Sequence, residues 1–209
     1  LLVMMASNDN CNALKIVTFN MHGFNQGQTA VKELIERESP DIFMLQEHWL
    51  TPANLCKFDV FSDYFCFGCS AMAKQVESGL LVGRPFGGVL IMIKNDLRNF
   101  TKTVHCDERY AVIIVSNYVF INVYMPCSGT PDRRDLIENL LEDISSWCDS
   151  FIDYNFVIAG DFNTNLFLGD DCAAMFNSFI NGPDLVSCDK LFGMENVPTY
   201  VNDALNHAS

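Results

Sequence analysis

Three apolar runs of this sequence stop abruptly at a carboxylate or a carboxamide. Asn20, Glu47 and Asp161 each end or closely follow such a run, and Asn163 lies two residues beyond Asp161. Asp161 and Asn163 share one side of the chain if the extended backbone continues through both. A carboxylate beside a carboxamide can orient a nucleophilic water or stabilise an oxyanion. The spacing therefore suggests a polar site built at the ends of strands.

Glu47 suggests a metal ion in the same site. A single carboxylate can hold Mg²⁺ while the ion keeps several waters and binds substrate phosphate. Asn20 would then be a neutral ligand or a hydrogen-bond partner, and Tyr124, at the end of another strand-like run, could donate to a phosphoryl oxygen. Taken singly, each residue also suits an ordinary strand end, a helix cap or an Asx-turn. The hypothesis depends on their recurrence.

Two histidines follow these positions closely, His22 after Asn20 and His48 after Glu47. A single histidine is more often a structural or solvent-facing side chain than a catalytic group. We therefore expect neither histidine to act in catalysis.

The elements that must position these side chains alternate between strand and helix at the start of the chain. Residues 14–20 and 41–47 are predicted strands, and residues 29–38 carry apolar side chains at helical spacing between them. A β-α-β unit of this kind makes its two strands parallel neighbours. Asn20 and Glu47 are then expected at corresponding ends of adjacent strands.

Further elements follow along the chain, while residues 50–85 show no assignable pattern. The predicted elements are a turn and strand within 84–93, paired strands at 110–115 and 118–125, helices at 132–148 and 171–180, a strand at 156–160, and a loop at 196–200 that leads into a strand. Residues 1–13 are interpreted as a tail, and residues 14–209 as one domain.

Composition restricts the class of protein. The 209-residue chain is 49% hydrophobic and 19% charged, which excludes a disordered chain, and no apolar run approaches a membrane span. Its nine cysteines lack the spacings of a disulfide scaffold, which indicates a reducing, intracellular compartment. Cys66 and Cys69 have the gap of a zinc half-site, but no second pair completes it, so zinc is not expected.

The formal net charge of −13 is unusual for a nucleic-acid-binding protein. An acidic chain can still handle phosphates if a divalent cation supplies positive charge and a few basic side chains gather locally. The candidates for such a cluster are Lys94, Arg98, Lys102, Arg109, Arg133 and Arg134.

Four ordered motifs resemble those of the endonuclease/exonuclease/phosphatase family, from about Leu14 to the end of the chain. They are Thr18-Phe19-Asn20-Met21-His22-Gly23, Leu45-Gln46-Glu47, Asn122-Val123-Tyr124-Met125-Pro126 and Gly160-Asp161-Phe162-Asn163. Two segments further resemble the endonuclease domains of non-long-terminal-repeat, LINE-type retrotransposons, which nick target DNA to prime reverse transcription. These are Leu45-Gln46-Glu47-His48-Trp49-Leu50 and Arg84-Pro85-Phe86-Gly87-Gly88.

The resemblance implies a four-layer α/β sandwich of the deoxyribonuclease-I type, with two central mixed sheets flanked by helices. It implies phosphodiester hydrolysis that depends on Mg²⁺, or alternatively Mn²⁺, with Glu47 as metal ligand. Asn20, which could also contact the metal, would form the phosphate and water site with Tyr124, Asp161 and Asn163. Arg84 and His22 are candidates for contacting the substrate, and DNA is the expected partner.

The retrotransposon resemblance also implies a longer polyprotein that carries a reverse transcriptase. Target cleavage would then take place in the nucleus, although a cytoplasmic location is compatible too. No membrane association is expected.

One departure from the family pattern concerns the end of the sequence. The family carries two further segments after the Asp-x-Asn strand: a strand with an Asp, and a terminal Ser-Asp-His. Neither is found here, and His207 does not match the second. We therefore expect the domain to lack its last one or two strands and the catalytic histidine, and this chain to be weakly active or inactive.

Other readings remain open. Phosphatases of the same family, acting on inositol phosphates or sphingomyelin, share the Asp-x-Asn strand, although Phe162 and Thr164 differ from the neighbours usual in inositol phosphatases. Abasic-site nucleases are disfavoured because His22 stands where they are expected to carry an acidic residue. A non-catalytic binding protein derived from a nuclease would suit the acidic balance.

Overall fold

A computed structural model describes residues 14–79, 83–167, 169–182 and 185–193, together with the main chain of 201–202 and 207–208. The chain divides into two compact units. Among the described residues, the first unit holds residues 14–125 and the segment Asp153–Asp161, and the second holds Pro126–Ile152 and the residues from Phe162 onwards. The assignment of residues 14–209 to one domain stays a prediction.

Two mixed four-stranded sheets form the frame of the first unit. Their strands are Ile16–Asn20 (β1), Ile42–Gln46 (β2), Tyr64–Cys69 (β3), Val89–Lys94 (β4), Thr101–Cys106 (β5), Tyr110–Val115 (β6), Tyr118–Tyr124 (β7) and Asn155–Asp161 (β8). The first sheet has the order β1-β2-β4-β3, and the second has the order β5-β6-β7-β8. Each sheet contains one parallel pair, β1 with β2 and β7 with β8, and its other neighbours are antiparallel.

The two sheets pack face to face through one apolar cluster. Ile16, Ile42 and Met44 of the first sheet share this cluster with Phe120 and Val157 of the second. Successive side chains of a strand alternate between faces, so the even-numbered positions of β1, β2 and β7 and the odd-numbered positions of β8 point inward. The same alternation turns Asn20, Tyr124 and Asp161 to the inner faces, where the strands end.

Helix α1, Phe24–Glu38, covers the outer face of the first sheet. Its buried Val31 packs in a second apolar cluster with Val17, Phe43 and Leu45, the outward-facing residues of β1 and β2. Because β2 is covered on both faces, all five of its side chains are buried. A continuous apolar run is the pattern expected for such a strand.

A buried polar contact joins the two sheets close to the site. Gln46 and Asn122 are 1% and 0% exposed, and Gln46 Nε2 donates to Asn122 Oδ1 over 2.6 Å. Asn122 Nδ2 in turn donates to the carbonyl oxygens of Leu45 and Leu90 at 2.9 and 3.0 Å. These bonds satisfy amide groups that would otherwise be costly to bury.

The remaining described elements are short helices of the first unit and the elements of the second unit. They are α2 (Ala73–Glu77), the 3₁₀ helices Pro52–Val60 and Asn95–Phe100, α3 (Arg133–Ser150), α4 (Asp171–Asn181), α5 (Cys188–Leu191), and an antiparallel pair of Val201–Asn202 (β9) with His207–Ala208 (β10). Asp170 caps α4 through a 2.7 Å bond from the Ala173 N–H to its carboxylate. Within the described residues, no helix has both the length and the apolar character to cross a membrane.

The predicted fold class, an α/β fold with two central mixed sheets and helices, is confirmed. The strands of the β-α-β unit, the paired strands β6 and β7, and helices α3 and α4 lie where the sequence predicts them. Three differences stand out. Helix α1 begins at Phe24 rather than near residue 29, strand β5 is not predicted, and residues 50–85 contain β3, α2 and a 3₁₀ helix. The predicted loop at 196–200 lies outside the described residues.

The Cys66–Cys69 pair is not a zinc half-site. Both residues lie in β3, three positions apart, so their side chains point to opposite faces of the sheet. Burial, with a smaller effect of Asp59, raises the pKa of the Cys66 thiol to about 12, which disfavours the thiolate that zinc requires. Across the described part of the chain, all eight cysteines are free thiols.

Candidate active site

One side-chain nitrogen joins the two carboxylates singled out in the sequence. Asn20 Nδ2 donates to Glu47 Oε1 over 2.8 Å and to Asp161 Oδ2 over 2.7 Å. The two carboxylate oxygens therefore lie no further apart than the sum of these lengths. Asn20 Oδ1 accepts a 3.0 Å bond from the His22 N–H, which fixes the direction of the amide. The expected placement of Asn20 and Glu47 at corresponding ends of adjacent strands is confirmed, while the catalytic and metal-binding roles of the three residues stay predictions.

The register of the sheets brings these residues together. Asn20 is aligned with Gln46 in the parallel β1–β2 pair, so Glu47 emerges one residue beyond. Asp161 is aligned with Tyr124 in the parallel β7–β8 pair, so these two side chains leave adjacent strands at the same end. Asp161 thus reaches Asn20 from the second sheet.

A sharp turn aims Glu47 into the site. Glu47 and Trp49 both adopt φ of 53°, a left-handed conformation uncommon for residues other than glycine. The turn is held from the first sheet, because the N–H groups of Glu47 and Trp49 donate to the carbonyls of Gly88 and Gly87 at 2.9 and 3.1 Å. We call Gly87 and Gly88 the glycine ledge.

The buried side chain of His48 stabilises this turn. Its ring is fully buried, with Nδ1 accepting the Leu50 N–H and Nε2 facing the Cys69 carbonyl, both at 3.0 Å. This pattern requires a neutral ring with its proton on Nε2. Burial lowers the pKa of His48 to about 4, although the Cys69 carbonyl opposes the shift. The buried, neutral ring thus supports the turn, and the expectation that His48 takes no part in catalysis stays a prediction.

Tyr124 carries a cation on its ring. The Arg109 guanidinium carbon lies 5.2 Å from the ring centroid, within the range of a cation–π contact. The Tyr124 N–H also donates to the Arg109 carbonyl over 2.7 Å, so both main chain and side chain tie the two residues together. Arg109 thereby brings positive charge next to a candidate substrate-contacting residue.

Asn163 belongs to the second unit. The extended backbone ends at Asp161, and Asn163 has φ of 48°, so strand alternation does not place the two side chains as the sequence prediction assumed. Its main chain is fixed by Arg133, whose Nη2 donates to the Asn163 carbonyl and to Thr164 Oγ1, both over 2.7 Å. Arg133 Nε also donates to the Pro126 carbonyl over 2.9 Å.

The other predicted substrate contacts lie on exposed segments. The His22 ring is exposed and packs edge-on against Trp49, with ring centroids 4.7 Å apart. Arg84 is exposed in the segment that precedes the glycine ledge, and within the described residues no hydrogen bond or ion pair joins it to the Asn20 cluster. Their role as substrate contacts stays a prediction.

The basic residues considered as a phosphate-binding cluster are mostly engaged separately. Apart from Arg109 and Arg133, already described, Lys94 pairs with Asp41 at 3.1 Å, Arg98 lies over the Phe65 ring and Arg134 approaches Asp171 at 3.8 Å. Two members of this set are connected to candidate site residues by the described contacts: Arg109 to Tyr124, and Arg133 to Asn163.

The donor set of the site fits a magnesium ion. In the described part of the chain, no three His, Cys, Asp or Glu side chains gather as a metal cluster, but Mg²⁺ needs only one or two carboxylates beside water and phosphate oxygens. Glu47 and Asp161 supply such oxygens around one point. With its nitrogen turned toward both carboxylates, Asn20 acts here as their hydrogen-bond donor; direct ligation by Asn20 stays a prediction.

Sequence reasoning missed the contact of Trp49. Its indole Nε1–H donates to Glu47 Oε2 over 3.1 Å, which complements the bond from Asn20 to the other oxygen. In an extended strand, residues two apart share a face through the alternation of side chains. Here the left-handed turn, and not that alternation, brings the Trp49 indole to the Glu47 carboxylate. The signal available in the sequence was the position of a tryptophan two residues after the candidate ligand.

Comparisons with known proteins agree with this architecture. The sequence model of the Endonuclease/Exonuclease/phosphatase family matches residues 17–203. None of the curated protein sequences matches the chain.

Solved structures with a similar fold include two AP endonucleases and a 3′ phosphatase. An abasic-site (AP) endonuclease, LMAP from Leishmania major, superposes with a TM-score of 0.66 at 14% identity, covering 92% of this chain and 74% of that one. An AP endonuclease from Archaeoglobus fulgidus gives 0.60 at 16% identity, covering 80% and 70%. The 3′ phosphatase NExo from Neisseria, bound to a product DNA hairpin, gives 0.56 at 20% identity over 76% of this chain, which spans 61% of that enzyme.

Proposed function

Because the chain belongs to the endonuclease/exonuclease/phosphatase family, we propose that it comes from a divalent-metal-dependent phosphodiesterase that cleaves DNA internally. The observation that carries the proposal is the Asn20 amide nitrogen, which holds Glu47 and Asp161 at 2.8 and 2.7 Å from a single point. Paired carboxylates of this kind bind a hard cation. Members of the family typically depend on a divalent metal, which supports the same choice.

In this proposal Glu47 holds Mg²⁺ or Mn²⁺, with Asp161 close enough to share the ion. When bound, the ion neutralises charge on the scissile phosphate and stabilises the leaving oxygen. Asn20 keeps the two carboxylates oriented by donating to both. Asp161 orients the attacking water, and Tyr124 donates to a phosphoryl oxygen. A part for Asn163 in the same step is what the family resemblance implies.

DNA is the proposed substrate despite the acidic chain. Arg109 on the Tyr124 ring supplies a local cation at the site, and the divalent ion supplies the rest. His22 and Arg84 are exposed and available to contact the backbone of the substrate. The fold shared with a 3′ phosphatase bound to product DNA and with two AP endonucleases supports a nucleic-acid substrate.

The more specific proposal is a LINE-type retrotransposon endonuclease. Its support is the resemblance of residues 45–50 and 84–88 to segments of those endonucleases. The main-chain bonds from Glu47 and Trp49 to the glycine ledge join these two segments to each other. The chain would then belong to a polyprotein with a reverse transcriptase. It would act in an intracellular, reducing compartment, and cleave its target in the nucleus.

The test is nicking of supercoiled plasmid with Mg²⁺, with Mn²⁺ and with a chelator. The wild type is compared with Asp161→Ala and with Asp153→Ala, a matched control in the segment just before β8. We expect weak, metal-dependent formation of open-circular product by the wild type, an equal amount from Asp153→Ala, and none from Asp161→Ala.

Two other results would redirect the proposal. Release of inorganic phosphate from inositol phosphates or from a 3′-phosphorylated oligonucleotide, without plasmid nicking, would identify a phosphatase of the same family. Metal-independent DNA binding with no hydrolysis by the wild type under any condition would identify a non-catalytic binding protein.

A further inference from the structure

Each carboxylate oxygen of Glu47 receives one neutral N–H donor. Asn20 Nδ2 donates to Oε1 over 2.8 Å, and Trp49 Nε1 donates to Oε2 over 3.1 Å. Two donors on opposite oxygens fix the rotation of a carboxylate about its last bond. Neither donor carries charge, so the negative charge of Glu47 is retained for another partner.

The Trp49 indole is itself held in place. Its main-chain N–H donates to the Gly87 carbonyl over 3.1 Å, and its φ of 53° commits the turn to one conformation. A methyl group added at Gly23 would lie 2.6 Å from Trp49 Cε3, so the indole packs directly on the backbone there. The His22 ring abuts the indole edge-on at 4.7 Å.

These contacts link the neighbours of the Glu47 carboxylate into a continuous ring of residues. Asn20 is bonded to the His22 N–H, His22 contacts the Trp49 ring, and Trp49 is bonded to Glu47, which is bonded back to Asn20. The Gly23 N–H also donates to the Glu47 carbonyl over 2.8 Å. Rotation of Glu47 would therefore require several neighbours to move together.

We propose that Trp49 is a positioning residue for the divalent metal, which it serves by fixing the Glu47 carboxylate through the indole N–H. This inference rests on the proposed role of Glu47 as metal ligand. Outer partners of a ligand orient it before the ion arrives, and their removal typically weakens metal affinity about 10- to 100-fold. A tryptophan that only filled space would leave affinity unchanged when its N–H was removed.

The experiment measures Mn²⁺ binding to the 209-residue chain without DNA, from the electron paramagnetic resonance signal of the free ion. Trp49→Phe removes the N–H and keeps an aromatic ring. Trp147→Phe is the matched control, since the chain has two tryptophans and Trp147 packs on Phe151 in the second unit. Glu47→Gln removes the proposed ligand.

We expect the Mn²⁺ dissociation constant to rise about tenfold in Trp49→Phe, to stay within twofold of wild type in Trp147→Phe, and to become unmeasurable in Glu47→Gln. In the Trp147→Phe chain, Trp49 is the remaining tryptophan, and Mn²⁺ should quench its fluorescence. The quenching should disappear when Glu47→Gln is added.

Folding is controlled by thermal unfolding and by a second substitution. Replacing Trp49 with the sulfur analogue benzothienylalanine keeps the bicyclic shape but lacks the N–H, so it should reproduce the affinity loss without a change in packing. Dissociation constants of both Trp49 variants within twofold of wild type would overturn the proposal.

The experiment distinguishes failure of the positioning role of Trp49 from failure of the proposed nuclease function. If the wild type binds Mn²⁺, the Trp49 variants bind it weakly, and no variant nicks DNA, the positioning role stands and the nuclease proposal fails. If the wild type and Glu47→Gln bind Mn²⁺ equally, Glu47 is not the ligand and the positioning role is overturned.

Discussion

Asn20 holds two carboxylates close together with a single amide group. Like charges at this distance repel unless a donor or a cation lies between them. The amide N–H groups supply part of that compensation, and a bound cation would supply the remainder. Replacing the amide nitrogen of Asn20 with an oxygen, as in Asn20→Asp, separates the contribution of the amide from that of the cation.

Replacing Asn20 with Asp should make the fold dependent on metal. In excess chelator, three neighbouring carboxylates should lower the free energy of unfolding by about 1 to 3 kcal/mol. Saturating Mg²⁺ should raise the melting temperature of Asn20→Asp more than that of the wild type, because the ion binds the folded state with one more carboxylate. Differential scanning calorimetry in both conditions measures the two effects.

The matched control is Asn95→Asp, which adds the same charge where the Asn95 amide donates to the Ser62 carbonyl on the exterior. It should show neither the loss in chelator nor the added response to Mg²⁺. Equal melting temperatures of the two variants in chelator would contradict the repulsion argument.

His48 should couple stability to pH. Burial lowers its folded pKa from 6.5 to about 4, so the neutral ring is favoured by folding. The resulting stability is fully present above pH 6.5 and is lost as pH falls toward 4, to an extent on the order of 3 kcal/mol. Urea unfolding of the wild type and of His48→Gln at pH 7 and 4.5 isolates this contribution.

The difference in unfolding free energy between wild type and His48→Gln should therefore shrink on acidification. His105, which is partly exposed and lies 3.5 Å from Asp107, provides the control through His105→Gln. A gap between wild type and His48→Gln that is the same at both pH values would rule out His48 as the source.

At the residue scale, the sequence pattern identified the polar residues of the site but not the backbone turn that brings Trp49 to Glu47. Asn20, Glu47 and Asp161 could be found because each ends an apolar strand. Trp49 could not be connected with Glu47, because the left-handed turn between them depends on carbonyls supplied by Gly87 and Gly88, far along the chain. Local spacing contains no signal for a conformation that is imposed by a distant segment.

At the scale of elements, the glycine ledge is the contact that shapes the turn after β2. Gly88 has φ of 89°, and a methyl group added there would collide with the His48 ring. The ledge thus needs glycine for two reasons, its backbone conformation and its lack of a side chain.

Gly88→Ala should be strongly destabilising. The positive φ and the collision with a buried ring together should cost about 3 kcal/mol or more. Gly79 has φ of 72° with nothing within 4 Å of an added methyl group, so Gly79→Ala isolates the backbone contribution and should cost about 1 kcal/mol. Chemical denaturation of both variants measures the difference, and equal losses would refute the collision.

The elements themselves were predicted unevenly, for physical reasons. Strands such as β2 and β6 are fully buried and therefore read as apolar runs. Strand β5 lies at the edge of its sheet, its exposed Lys102 and Thr103 interrupt the pattern, and a register shift between Thr103 and His105 breaks its alternation. The first turn of α1 begins with Phe24 and lacks a side-chain cap, so no capping signal marks it.

At the scale of the whole molecule, the two sheets of the first unit must keep a fixed alignment for the site to exist. Glu47 and Asp161 come from different sheets, and apolar packing alone tolerates small shifts. The Gln46–Asn122 bond, buried directly behind the site, is directional and specifies one alignment.

A double-mutant cycle should reveal this coupling. Gln46→Leu and Asn122→Leu each leave buried amide or carbonyl groups without their partner, so each should cost about 2 to 4 kcal/mol of unfolding free energy. The double variant removes both amides and should lose less than the sum of the single losses, by at least about 1 kcal/mol. Guanidinium unfolding of the four proteins provides the cycle, and strict additivity would show that the bond does not couple the sheets.

The glycine ledge also shows which neighbouring positions could be varied in a directed-evolution library. Gly87 and Gly88 fix the turn that carries Glu47 through their main-chain carbonyls, whereas the neighbouring Arg84 and Phe86 are exposed. A combinatorial library that varies Arg84, Pro85 and Phe86 while holding both glycine codons constant should yield mostly folded members. Extending the randomisation by only two codons would fill the same library with clones that cannot form the turn that carries Glu47.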